Sequence, residues 1–175
     1  MKTILFFCIS SALLTTSIFL TGCAAGGDSG TPQTQTSDNS SGEPAAALAV
    51  AHWVKGESVD VSSGVHVVEF WATWCPPCLT SIPHLTELQE KYADRGINII
   101  GVSDEKLATV EAFVKKMGDK MAYTVAIDAG ATSKGYMSKY GINGIPHAFV
   151  VKDGEVVWHG HPMAKLGDAI EDALK

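Results

Sequence analysis

The chain has 175 residues, 46% of them hydrophobic and 18% charged, enough for one packed domain with polar sequence left over. A formal charge of −6 with no basic patch excludes the usual electrostatic mode of nucleic-acid binding. No Gly-x-Gly-x-x-Gly and no Walker-type lysine loop occurs, so nucleotide binding has no support either.

Residues 1–22 read as an export signal. Lys2 gives a positive start, Ile4 to Leu20 is apolar, and no positive charges follow to stop a membrane span. The stretch closes with Leu20-Thr21-Gly22-Cys23, which resembles the bacterial lipobox. That resemblance implies a lipidated Cys23 as the new N-terminus and a chain anchored to a bacterial membrane, facing the periplasm. Ala24, rather than Asp, favours the outer membrane where there are two. Several acyl chains anchor stably where one is marginal. An ordinary small-residue cleavage site at Cys23-Ala24-Ala25 is the plainer alternative. Residues 24–44 hold no bulky aliphatic, no aromatic and no Lys or Arg. Such a segment buries too little apolar surface to offset its ordering entropy. Residues 23–44 are therefore expected to be a flexible lipid-anchored tether, spanning on the order of 25 Å root-mean-square.

The folded domain is expected over residues 45–175. Ala45 to Val50 is apolar and fits a short helix or a strand. His52-Trp53-Val54, Lys55-Gly56 and Ser58 to Val61 read as a hairpin with a glycine turn. Val65 to Trp71 is apolar on both faces, as a covered central strand is. Leu79, Ile82, Leu85 and Leu88 mark a helix to about Tyr92, with Pro83 inside it. Ile97 to Val102 is the next strand, completing a parallel βαβ unit. A helix over 106–117, a strand over 123–127 and a second short helix over 131–140 follow. Ala148 to Val151 and Glu155 to Trp158 form a hairpin about Asp153-Gly154, and an amphipathic helix over 163–174 ends the chain.

Of four cysteines, Cys8 and Cys23 belong to the signal, leaving Cys75 and Cys78 for the domain. One close pair reads as a redox or metal motif rather than a disulfide framework. Cys75 falls where the strand hands over to the helix, and unpaired N–H groups and the helix dipole at that end favour a thiolate. Cys78 lies about one turn on, so the sulfurs can close a disulfide. Zinc takes four protein ligands, or three and a water, and only two thiolates are available. No metal or other cofactor is expected.

Val-Glu-Phe-Trp-Ala-Thr-Trp-Cys-Pro-Pro-Cys at 68–78, Pro83 in the following helix and Gly-Ile-Pro at 144–146 resemble the thioredoxin fold. The Cys-Pro-Pro-Cys pair and the extra helix and strand over 106–127 resemble the exported TlpA/ResA branch, related to the redoxin and AhpC/TSA proteins. The resemblance covers about residues 50–175. It implies a three-layer α/β/α fold around a mixed sheet, and a membrane-tethered reductase of exported protein dithiols, apocytochrome c among them, fed by a membrane dithiol donor. It assigns attack to Cys75 and resolution to Cys78. Pro76 and Pro77 stiffen the loop and remove two donors from the Cys75 anion, which points to a reducing or intermediate potential. Pro146 is the implied cis-proline facing the disulfide, with Ile145 offering its backbone to a substrate strand. Glu69, six before Cys75, matches the buried acid that takes the resolving thiol's proton, and burial should keep it neutral. Trp74 is placed on the docking surface and Trp71 in the core. His147 is placed against substrate or Cys75, and His84, His159 and His161 on the surface. Two rivals stand: a disulfide oxidase or isomerase, and a copper chaperone using Cys75, Cys78 and a histidine. The Thr-x-x-Cys of peroxiredoxins is missing around Cys75.

Overall fold

A computed structural model describes residues 42–175. The export signal, Cys23 and all but the end of the expected tether lie outside the described residues. The elements are β1 (Glu43–Pro44), β2 (Val50–Lys55), β3 (Val65–Phe70), α1 (Pro76–Tyr92), β4 (Asn98–Ser103), α2 (Leu107–Met117), β5 (Thr124–Asp128), α3 (Ala131–Ser133, continued by a wider π turn over Lys134–Ser138), β6 (His147–Lys152), β7 (Glu155–Gly160) and α4 (Leu166–Ala173).

The strands form one seven-stranded sheet in the order β1-β7-β6-β3-β4-β5-β2. β3, β4 and β5 run parallel, while β6, β7 and both edge strands pair antiparallel. β3 sits at the middle because its Val-His-Val-Val-Glu-Phe run is covered on both faces. Side chains alternate across the sheet and feed two cores. On one face Val67, Ile99, Val125 and Val150 pack under α1, α2 and α4. On the other, Val68, Ile100, Phe149 and Val151 pack under Tyr136 of the turn after α3 and under the segment before β3. This is the three-layer α/β/α architecture with a mixed sheet and an extra helix and strand, α2 and β5.

Three local expectations are corrected. The hairpin over 52–61 does not form. β2 pairs with β5 instead, Trp53 opposite Ala126, at the far edge of the sheet. The alternating pattern at Ser58–Val61 is turn chemistry: Asp60 accepts from the Ser62 N–H at 2.9 Å, and Val61 drops into the second core. Gly56 turns the chain at φ +79, and a Cβ there would lie 2.5 Å from Thr124 Oγ1. Next, the tether does not reach residue 44, because Glu43 and Pro44 are already edge strand, opposite Val156 and Glu155. Finally, residues 45–49 are neither helix nor strand. Their backbone is held piecemeal, the Ala49 N–H donating to Thr132 Oγ1 and the Tyr136 hydroxyl to the Ala46 carbonyl.

Candidate active site

Where β3 ends, the ladder carries one residue further, Trp71 N–H donating to the Val102 carbonyl at 3.1 Å. The chain then turns tightly, the Cys75 N–H donating back to the Ala72 carbonyl at 3.2 Å. Cys75 caps α1 in extended conformation, and Pro76 and Pro77 fill the first two helical positions. Neither proline has an N–H, so the first free donor of the helix is Cys78, and it donates to Cys75 Sγ at 3.3 Å. The two sulfurs are joined in a disulfide, with their Cα atoms 5.3 Å apart.

The two cysteines differ in access. Cys78 is fully buried, while Cys75 keeps 3% exposure at the rim, beside Pro76 and Pro77, which face solvent, and Trp74, 69% exposed. The Ile145–Pro146 peptide is cis, and the Ile145 carbonyl oxygen lies 3.7 Å from Cys75 Sγ. Ile145 also borders a groove of about 240 Å³, lined with Trp74, Met137 and Ile142 and flanked by Asp104 and Ser133. Cys75, Trp74, Pro76, Ile145 and Pro146 therefore share one edge of the molecule.

Beneath them, Glu69 is completely buried, with neither carboxyl oxygen hydrogen-bonded. Its strand places it on the α1 face, two residues from Val67 and from Trp71. Burial alone pushes its carboxyl up to about 8, so at neutral pH the protonated form predominates and a minor ionised fraction remains to accept a proton.

His147 is not part of this group. As first residue of β6 it shares a face with Phe149, in the core opposite Cys75 and Cys78. Its Nε2 meets His159 Nδ1 at 3.1 Å, and its ring stacks obliquely on Phe149. The one-residue strand alternation turns it away from the sulfurs. Burial, then the neighbouring His159 and His161, lower its imidazole to about 4. His159, expected on the surface, is half-buried in the same ring cluster. Among the described residues, no three His, Cys, Asp or Glu side chains gather closely enough to hold a metal ion.

Glu105 is a site residue without a motif. Its carboxylate accepts from the Thr73 N–H at 2.6 Å and the Thr73 hydroxyl at 2.8 Å, bracing the loop that carries Cys75. Its mark in the sequence is its place, two residues past the carboxyl end of a parallel strand, where α/β sheets put their working groups.

Residues 41–173 match the profile of the Redoxin family. The chain is 40% identical over 92 residues to the thiol-disulfide oxidoreductase ResA of Bacillus thuringiensis (strain Al Hakam), covering 51% of this chain and 50% of that protein. It is 33% identical over 110 residues to ResA of Halalkalibacterium halodurans, covering 59% of each. The chain thus spans about half the length of the curated relatives it matches. Its fold superposes on the crystal structure of a thiol:disulfide interchange protein of the thioredoxin family from Chlorobium tepidum TLS, with a TM-score of 0.64 and 26% identity, over 78% of this chain and 99% of that one.

Proposed function

The chain belongs to the Redoxin family, and from that membership we propose that it is a thiol-disulfide oxidoreductase that reduces protein disulfides outside the cytoplasm. The observation that carries this is the unequal pair: Cys75 at the rim under the helix N-terminus and 3.7 Å from the Ile145 carbonyl, Cys78 buried on the same face as an unpartnered acid.

In the reduced form the Cys75 thiolate receives the Cys78 N–H and the helix dipole. It attacks one sulfur of a substrate disulfide, forming a mixed disulfide and releasing the other substrate sulfur as a thiolate. Cys78 then gives its proton to the Glu69 carboxylate. The Cys78 thiolate attacks Cys75 Sγ, expels the second substrate thiolate and closes the Cys75–Cys78 bond. Two electrons have passed from this dithiol to the substrate. An external dithiol donor restores the pair, and a membrane carrier suits a compartment that favours disulfides. The Ile145 backbone and the groove beside Trp74 receive an extended substrate segment next to its cysteine. The resemblance of the Cys-Pro-Pro-Cys region supports apocytochrome c among the substrates, and Leu20 to Cys23 supports a lipid anchor at Cys23 facing the periplasm.

The test is turnover of a model protein disulfide together with the reduction potential. A potential clearly below about −120 mV, the strong-oxidant end of the known range, is expected. A value at or above it favours the oxidase reading. The copper-chaperone reading asks for a histidine beside the sulfurs, and His147 faces the other core.

A further inference from the structure

Glu69 shares its surroundings with two further polar atoms that lack partners. The indole nitrogen of Trp71 and the hydroxyl of Tyr123 are both buried and, like both Glu69 oxygens, make no hydrogen bond. Buried polar groups are normally partnered, so three at one place call for a common cause. The backbone brings them together. Glu69 and Gly101 are register partners on β3 and β4, about 4.8 Å apart as adjacent strands are. Gly101 has no side chain, and two rings close over the gap: a Cβ at 101 would lie 3.0 Å from Trp71 Nε1 and 3.0 Å from Tyr123 Cε2. Burial, and after it the Glu69 charge, raise the Tyr123 hydroxyl well above its ordinary value.

Among the described residues, the other neighbours that the sheet and α1 bring to the Glu69 face are apolar or already engaged. Its other register partner is Ala148 on β6. The buried hydroxyls of α1 are already engaged: Ser81 with the Cys78 carbonyl, Thr86 with the Lys120 carbonyl and, at the far end of the helix, Tyr92 with Glu171. The buried side chains of α2 and α4 are apolar: Val110 and Val114, and Leu166, Ala169, Ile170 and Ala173.

We propose that Tyr123 and Trp71 are positioning residues for Glu69, their O–H and N–H forming, through one shared water, the donor shell of its carboxylate. The proposal rests on the reading of Glu69 as acceptor of the Cys78 proton. An acid in a dry apolar pocket resists ionisation, and donors aimed at the charged form ease it. The three groups make no hydrogen bond to one another, and one water with polar partners on three sides links them. The ionised acid, the form that takes the Cys78 proton, then exists at working pH because of Tyr123 and Trp71.

The test is a titration of the full chain, labelled with ¹³C at glutamate carboxyls and followed by NMR, with Glu69→Gln identifying the Glu69 signal. Tyr123→Phe removes one oxygen atom and is expected to raise the Glu69 midpoint by about one pH unit, the size of one hydrogen bond to a charged group. Trp71→Phe is expected to move it the same way. In turnover, Tyr123→Phe displaces the pH profile in the same direction and adds nothing in a Glu69→Gln background. An unmoved midpoint in folded Tyr123→Phe overturns the proposal, and the same result in folded Trp71→Phe does so independently. The titration needs no turnover. A raised midpoint in a chain that reduces no disulfide upholds the shell and removes the oxidoreductase reading. Turnover that depends on Cys75 with an unmoved midpoint does the reverse.

Discussion

Thr73 hangs from Glu105: one carboxylate, 32 residues away in sequence, receives both its backbone N–H and its hydroxyl. The loop between β3 and Cys75 is thereby tied to the end of β4, and Ser103 Oγ supports the same carboxylate at 3.4 Å. Removing the brace frees the turn that aims Cys75. Glu105→Ala is expected to lower stability by about 1.5–3 kcal/mol, the range for hydrogen bonds to a charged group, and to lower kcat/KM for disulfide reduction. Denaturant unfolding and steady-state kinetics check both, and Glu105→Gln should recover part of each loss.

Glu69 makes stability depend on pH with a definite sign. Its folded value, about 8, lies above the ordinary value of 4.5. The native state therefore holds a proton that the unfolded chain has lost. The contribution is present in full below the unfolded value and is lost as pH rises from there through about 8. Unfolding free energies measured between pH 4.5 and 8 should fall with pH in the wild type, and Glu69→Gln should flatten that slope.

His147 produces a slope on the acid side. Its folded value, near 4, lies below the ordinary 6.5. Its contribution is present above 6.5 and is lost as pH falls through 4. His147→Gln should weaken that acid loss. Because the ring faces the core away from the sulfurs, the variant should change the kcat for disulfide reduction less than about twofold, within the scatter of about 0.4 kcal/mol.

Trp74 separates docking from stability. At 69% exposure it supports little of the core. Trp74→Ala should leave unfolding free energy within about 0.5 kcal/mol of wild type. It should raise KM for a protein disulfide roughly tenfold, as loss of an aromatic anchor of about 1.4 kcal/mol does. A small-molecule disulfide should be reduced at nearly the wild-type rate.

What the sequence disclosed, and what it withheld, divides by range. Cys75, Cys78 and Pro76 declare themselves because a β3-to-α1 junction is local: one apolar run, one cap and one turn of helix hold everything. Glu69 stands out as a charge inside an apolar strand. The pairing of β2 with β5 spans some 75 residues, and no local pattern distinguishes it from the hairpin that Gly56 invites. β1 is two residues long, too short for any periodicity. His147 meets His159 only because β6 and β7 fold back in a particular register. Glu105 and Tyr123 look like an ordinary surface acid and an ordinary core ring until Thr73 and Gly101 are set beside them.

The order of attack is tested most directly by intact mass after mixing each reduced single-cysteine variant with a disulfide-linked substrate peptide. Cys78→Ser should accumulate a covalent adduct on Cys75 that cannot resolve, and Cys75→Ser should form none and turn nothing over. An adduct that forms on Cys78 in Cys75→Ser, or wild-type turnover in that variant, contradicts the account.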